Sequence, residues 1–168
     1  MVAFETLPDD ARVWVFAADS ALAPEQSKRL LNEVDAFLAQ WNAHGMPLRC
    51  ARDWREDRFL AVGVDQSTAG ASGCSIDGLF RLLKTMAPSL GASLLSGGAV
   101  YWRDADGIVR SGTRTEFARQ AVSGLVTGTT GVFDTSVTTA RGWRADFETR
   151  ASRSWHSSLL GASSAGTN

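Results

Sequence analysis

The chain has 168 residues, 44% of them hydrophobic, with six Trp and a formal net charge of −1. That is enough apolar material to bury a core without disulfide or metal staples. The near-neutral balance excludes a global electrostatic pull toward nucleic acid or an anionic membrane, and no apolar run approaches the roughly 18 residues of a membrane span.

Glu5, Asp9 and Asp10 stand where an export signal would carry basic residues, so a cytoplasmic protein with reduced Cys50 and Cys74 is expected. Arg12 to Ala18, RVWVFAA, reads as a strand rich in β-branched and aromatic residues. Pro24 suits the first position of a helix. Leu30, Leu31, Val34, Phe37, Leu38 and Trp41 then recur at helical spacing toward residue 42. Gly45 follows as its stop, which puts His44 at the helix C-terminus.

Leu48 to Trp54 is a second strand, Arg55 to Asp57 a turn, and Arg58 to Asp65 an almost wholly apolar central strand. Ile76, Leu79, Phe80, Leu83, Met86 and Leu90 form a second helical stripe over 75–90, closed by Gly91. Ala99–Arg103 and Ile108–Ser111 flank Asp106-Gly107, a hairpin signal. The order predicts an α+β fold of the ferredoxin-like split βαββαβ type, with an antiparallel sheet and two helices on one face. The expected domain is residues 1–160, with a core over 12–112 and a C-terminal extension over 113–160. That extension holds a short helix at 115–123, a Gly/Thr loop, a strand at 132–137 and an arm at 143–155, and residues 161–168 form a disordered tail.

The stretch SGCSID, Ser72 to Asp77, carries most of the chemical interest. With the second helix starting at Ser75 or Ile76, Cys74 stands at its N-terminus, where unpaired N–H groups and the helix dipole favour a thiolate or a bound anion. Ser72, Cys74 and Ser75 offer capping side chains, Gly73 permits close approach, and Asp77 belongs to the first turn. The structural alternative makes Cys74 a small buried residue, the common fate of a free thiol, and Gly78 a sign of tight packing.

A thiol nucleophile needs a base, and the imidazoles are His44 and His156. Structurally, His44 complements a helix C-terminus, and His156 is a surface residue on an arm held by Trp155. Cys50, Cys74, His44 and His156 lack zinc-ligand spacing, so no metal is expected, and no cofactor is expected either. No Gly-x4-Gly-Lys-Ser/Thr loop exists, since neither Lys28 nor Lys84 follows a glycine. Arg141, Arg144, Arg150 and Arg153 among Trp143, Phe147 and Trp155 read as an arm that packs its aromatics and solvates its arginines.

RVWVFAADSALAPEQ, FLAQWNAHGMPL, RFLAVGVD, SGCSID, VFDTSVTT and SWH, in this order from Arg12 to Leu160, resemble a family of small, functionally uncharacterised bacterial proteins common in Bacteroidetes. Its members often carry the label "ABC transporter ATPase". The resemblance matches Trp41, His44, Gly45, Cys74, Ser75, Asp77, Trp155 and His156 to the family pattern. The label implies a nucleotide hydrolase, whose phosphate loop this sequence lacks. Two functional expectations follow. One is a small-ligand or anion site at the N-terminus of the second helix, centred on Cys74 and thiol-dependent, with His156 or His44 as base. The alternative is a non-catalytic interaction module that docks on a second copy or a protein partner.

Overall fold

An apolar run covered from both sides organises the first part of the chain: all six residues of the strand Phe59–Val64 are buried. The computed structural model describes residues 1–43, 45–67, 73–95 and 97–161, the side chains of residues 43 and 73–75 excepted. The chain forms two compact units, one of Met1–Ser96 with Thr135–Arg144 and one of Gly97–Asp134 with the residues from Ala145 onward. The chain is thus α+β as expected, but its division is not a core over 12–112 with an appended extension.

The first unit runs β1 (Arg12–Ala17), α1 (Pro24–Ala39), a short hairpin of β2 (Asn42–Ala43) and β3 (Met46–Pro47), β4 (Cys50–Arg55), β5 (Phe59–Val64) and α2 (Gly73–Leu90). Its sheet has the order β1-β5-β4, antiparallel throughout, with Phe16 opposite Leu60 and Leu60 opposite Trp54. Pro24 opens α1, and the Gln26 side chain accepts the Ala23 N–H at 2.7 Å. The same side chain donates to the Leu90 carbonyl at 2.7 Å, tying the start of α1 to the end of α2. Gly91 then takes φ +61°, the left-handed stop its residue type permits.

Leu30, Val34 and Leu38 of α1 and Leu79, Leu83 and Leu90 of α2 pack with Phe16, Leu60 and Val62 on one face of the sheet. Each such side chain contributes about 1.5–3 kcal/mol when fully buried. The opposite face is covered from Phe4 and Leu7: a Cβ on Gly63 would lie 2.5 Å from Leu7 Cδ1 and 3.2 Å from the Phe4 ring. The β4–β5 turn uses Glu56 at φ +56° and Asp57 at φ +49°, a left-handed pair without glycine.

The second unit contains β6 (Val100–Arg103), β7 (Val109–Gly112), α3 (Arg114–Val122) and β8 (Gly131–Phe133). The chain then passes through α4 (Ala140–Ala145), mostly in the first unit, before β9 (Glu148–Arg150). Its antiparallel sheet has the order β7-β6-β8-β9. The expected closing strand of the first sheet, β6, therefore pairs here. Val100, Tyr101 and Trp102 are all buried and need a partner on each side, which β7 and β8 supply. A Thr113/Glu116 capping box starts α3, and Phe117 packs edge-on to Trp102 at 5.4 Å. The expected strand over 132–137 ends at Phe133, and the chain leaves for the first unit from Thr135.

Candidate functional site

Helix α2 begins at Gly73, two to three residues before the expected start, so Cys74 and Ser75 lie within its first turn rather than at its cap. Asp77 is its fifth residue, beyond the first turn, with an exposed side chain. Ser72 and His44 lie outside the described residues, as do the side chains of Cys74 and Ser75.

The neighbourhood of that turn follows from how the helices pair. Gln26 joins the start of α1 to the end of α2. At the other end, a Cβ on Gly78 would lie 3.1 Å from the Phe37 ring. The two helices are therefore antiparallel, and the beginning of α2 sits beside the end of α1. Gly78 marks close packing, as its place in a helix suggests. Phe37 contacts Trp41 with ring centroids 5.5 Å apart, and Trp41 meets Trp14 at 6.3 Å. Arg12 lies over the Trp14 ring at 4.7 Å. Two separate motifs, the one that begins at Trp41 and the one around Cys74, thus reach the same end of the first unit.

A cleft of about 490 Å³ opens where β5 ends and the chain heads toward α2. Thr6, Asp10, Arg49, Asp65 and Ser67 contribute to its lining. Asp65 is 6% exposed. Its carboxyl is held below the usual range by hydrogen bonds from the Ser67 hydroxyl and backbone N–H, and then by the Arg49 cation. Arg49 Nε stands 3.9 Å from Asp65 Oδ2, and its Nη2 donates to the Thr6 carbonyl at 3.0 Å. The cleft thus offers a guanidinium and a buried carboxylate, of which the sequence reads Asp65 as strand-end turn chemistry and leaves Arg49 unmarked. The signal available was the turn sequence Asp65-Gln66-Ser67, an Asp accepting from a residue two places on.

Cys50 is buried in β4, its thiol donates to the Leu38 carbonyl at 3.5 Å, and burial pushes its pKa up. That is the environment of an inert thiol. Among the described residues no group of three or more His, Cys, Asp or Glu is placed to hold a metal ion.

His156 belongs to the second unit, whereas Cys74 belongs to the first. It is not the surface residue expected. Its ring is 0% exposed, stacked on Trp155 with centroids 3.9 Å apart and 5.7 Å from Phe117. Nδ1 shares a hydrogen bond with Ser154 Oγ at 2.8 Å, while buried Nε2 has no hydrogen-bond partner among the described residues. Burial lowers its pKa to about 4, against the pull of the Asp134 carboxylate. Arg144 also departs from the solvated-arginine expectation, since it donates to the Phe4 and Leu7 carbonyls at 2.9 and 2.7 Å and to Asp9 at 2.9 Å.

No helix among the described residues is long and apolar enough to cross a membrane. No family model matches the chain, and no curated protein or solved structure matches it.

Proposed function

We propose that the chain binds a small anionic ligand at the end of the first unit where α2 begins, with the Cys74 thiol as the contacting or reacting group in a reduced, cytoplasmic setting. The observation that carries this reading is the antiparallel pairing of α1 and α2, anchored by Gln26 to Leu90 and by Phe37 against Gly78. It sets the first turn of an 18-residue helix beside the Trp41 corner. Backbone N–H groups of such a turn favour negative charge. ATP hydrolysis is not part of the reading, because no loop and lysine exist to cradle the phosphates.

We also read the first unit as a ferredoxin-like arrangement lacking its fourth strand. The order β1-β5-β4 supports this, as does the isolated bridge between Arg12 and Thr139 on the free edge of β1. The alternative function, a protein-interaction module, draws support from Val122 and Leu125, which are 85% and 69% exposed near the end of α3.

Alkylation by iodoacetamide at neutral pH, read by peptide mass mapping, tests the site. Cys74 is expected to react while Cys50 stays unmodified until the protein unfolds, and inorganic phosphate is expected to slow the reaction. Labelling of Cys50 ahead of Cys74, or no labelling of either before unfolding, would overturn the proposal.

A further inference from the structure

Beyond Ser152 the described residues are attached to the second unit by side chains rather than by backbone pairing. The N–H groups of Ala151 and Ser152 donate to the Thr130 and Gly128 carbonyls at 2.9 and 3.0 Å. After them, the backbone bonds of Ser157 to Ser154 and Leu160 to Ser157 lie within the segment, and Ser154 bonds back to Ala151 at its root at 3.3 Å. What holds it to the unit is Trp155 Nε1 on Asp134 Oδ1 at 3.1 Å, Arg114 over the Trp155 ring at 5.0 Å, and Leu159 and Leu160 against the cluster of Trp102, Phe117 and Val132. His156 lies fully buried in the same contact.

We propose that residues 153–160 form an acid-released latch, which leaves the core of the second unit when His156 takes up a proton while the strands beneath keep their pairing. The closed geometry has no place for an imidazolium. Its two N–H groups would need acceptors, and Nε2 faces none among the described residues. From the elements packed around the ring, Asp134 beyond β8 favours the cation and Arg114 at the start of α3 opposes it. Of the carboxylates on α3 and β9, Glu116 is engaged with the Thr113 N–H and Glu148 with Arg103. Phe117 and Trp155 present aromatic faces.

Closure holds the ring near pKa 4 rather than 6.5, so the latch is fully favoured above pH 6.5 and weakens as pH falls toward 4. Local opening costs little backbone order here, because no strand ladder must break. The open fraction is expected to rise on the order of 30-fold between pH 7.5 and pH 5, the ratio the two ionisation constants imply.

Hydrogen–deuterium exchange, corrected for the intrinsic pH dependence of amide exchange, reads this directly. Protection of residues 153–160 should fall by that factor, while amides of Val100–Arg103 and Gly131–Phe133 keep theirs. In His156→Gln the pH slope of the segment should vanish, whether the variant closes well or poorly. Should that variant fail to fold, NMR titration of the His156 ring in the unsubstituted protein decides, with an apparent pKa below about 5 expected. A ring titrating near 6.5, a flat protection profile, or parallel loss of protection in the strands would each overturn the latch.

Discussion

Trp143 Nε1 donates to Asp53 Oδ2 at 2.8 Å, joining residues 90 positions apart within the first unit. The indole is fully buried, and its edge lies against Phe4 with ring centroids 6.5 Å apart. The same carboxylate accepts from Arg55 Nε at 3.0 Å, and Arg55 lies over the Trp143 ring at 4.5 Å. Its other oxygen accepts the Trp54 N–H at 2.9 Å. One side chain on β4 thus orients an aromatic anchor and a guanidinium together.

Asp53→Ala is therefore expected to cost about 2 kcal/mol, chiefly by removing the carboxylate that accepts from the buried Trp143 N–H. Asp53→Asn keeps an acceptor oxygen and should cost about half as much. Urea unfolding followed by Trp fluorescence measures both, and equal losses in the two variants would refute the assignment to that hydrogen bond.

The β4–β5 turn gives a stabilising change. Glu56 and Asp57 occupy left-handed conformations that cost an L-residue roughly 1–2 kcal/mol, while glycine adopts them freely. The Asp57 backbone carbonyl accepts from the Leu22 N–H at 2.8 Å, a bond that does not depend on the side chain. Asp57→Gly is expected to raise stability by about 0.5–1 kcal/mol, the gain being reduced by the greater freedom of glycine in the unfolded chain. A fall in the urea midpoint would show that the Asp57 side chain contributes something the turn geometry does not account for.

Where local periodicity decides the structure, the sequence was a good guide. β1, α1, β5, α2 and the hairpin at Asp104–Gly107 lie within a few residues of their expected bounds, because each repeats a strand or helix pattern over enough residues to read. The hairpin of Asn42–Ala43 and Met46–Pro47 is too short to carry such a pattern. The assignment of Thr135–Arg144 to the first unit depends on contacts across most of the chain, such as Arg144 on the Leu7 carbonyl, and leaves no local trace. The same holds for β6: its buried residues announced a strand but not which sheet would take it. At the candidate site, the SGCSID motif pointed to the start of α2 and Asp65 read as strand-end turn chemistry, whereas its pairing with Arg49 became visible only once β4 and β5 were paired.

Gly63 tests the packing of the first sheet's second face. A Cβ there would come within 2.5 Å of Leu7 Cδ1, a side chain only 3% exposed and so with little room to move. Gly63→Ala is expected to destabilise by roughly 1–3 kcal/mol, as overpacking of a filled interior does. The double variant Gly63→Ala with Leu7→Ala should lose less than the sum of the single changes, since the second removes the atom that the first would strike. Strict additivity, measured by chemical denaturation, would place the strain elsewhere.

Asp65 supplies a pH dependence whose direction can be worked out. Its carboxyl titrates below the usual range because the Ser67 hydroxyl and N–H, followed by Arg49, stabilise the carboxylate. A folded-state pKa below the unfolded value of about 3.9 means that the carboxylate stabilises the fold above that pH. The contribution is lost as pH falls through the folded value. Ser67→Ala removes the hydroxyl while leaving the backbone N–H at 3.0 Å from Oδ1. The Asp65 carboxyl is then expected to titrate at higher pH than in the unsubstituted protein, though still below the unfolded value. Carboxyl-carbon NMR titration resolves the change. An Asp65 titration unmoved by Ser67→Ala but raised by Arg49→Gln would transfer the leading role from the hydroxyl to the guanidinium.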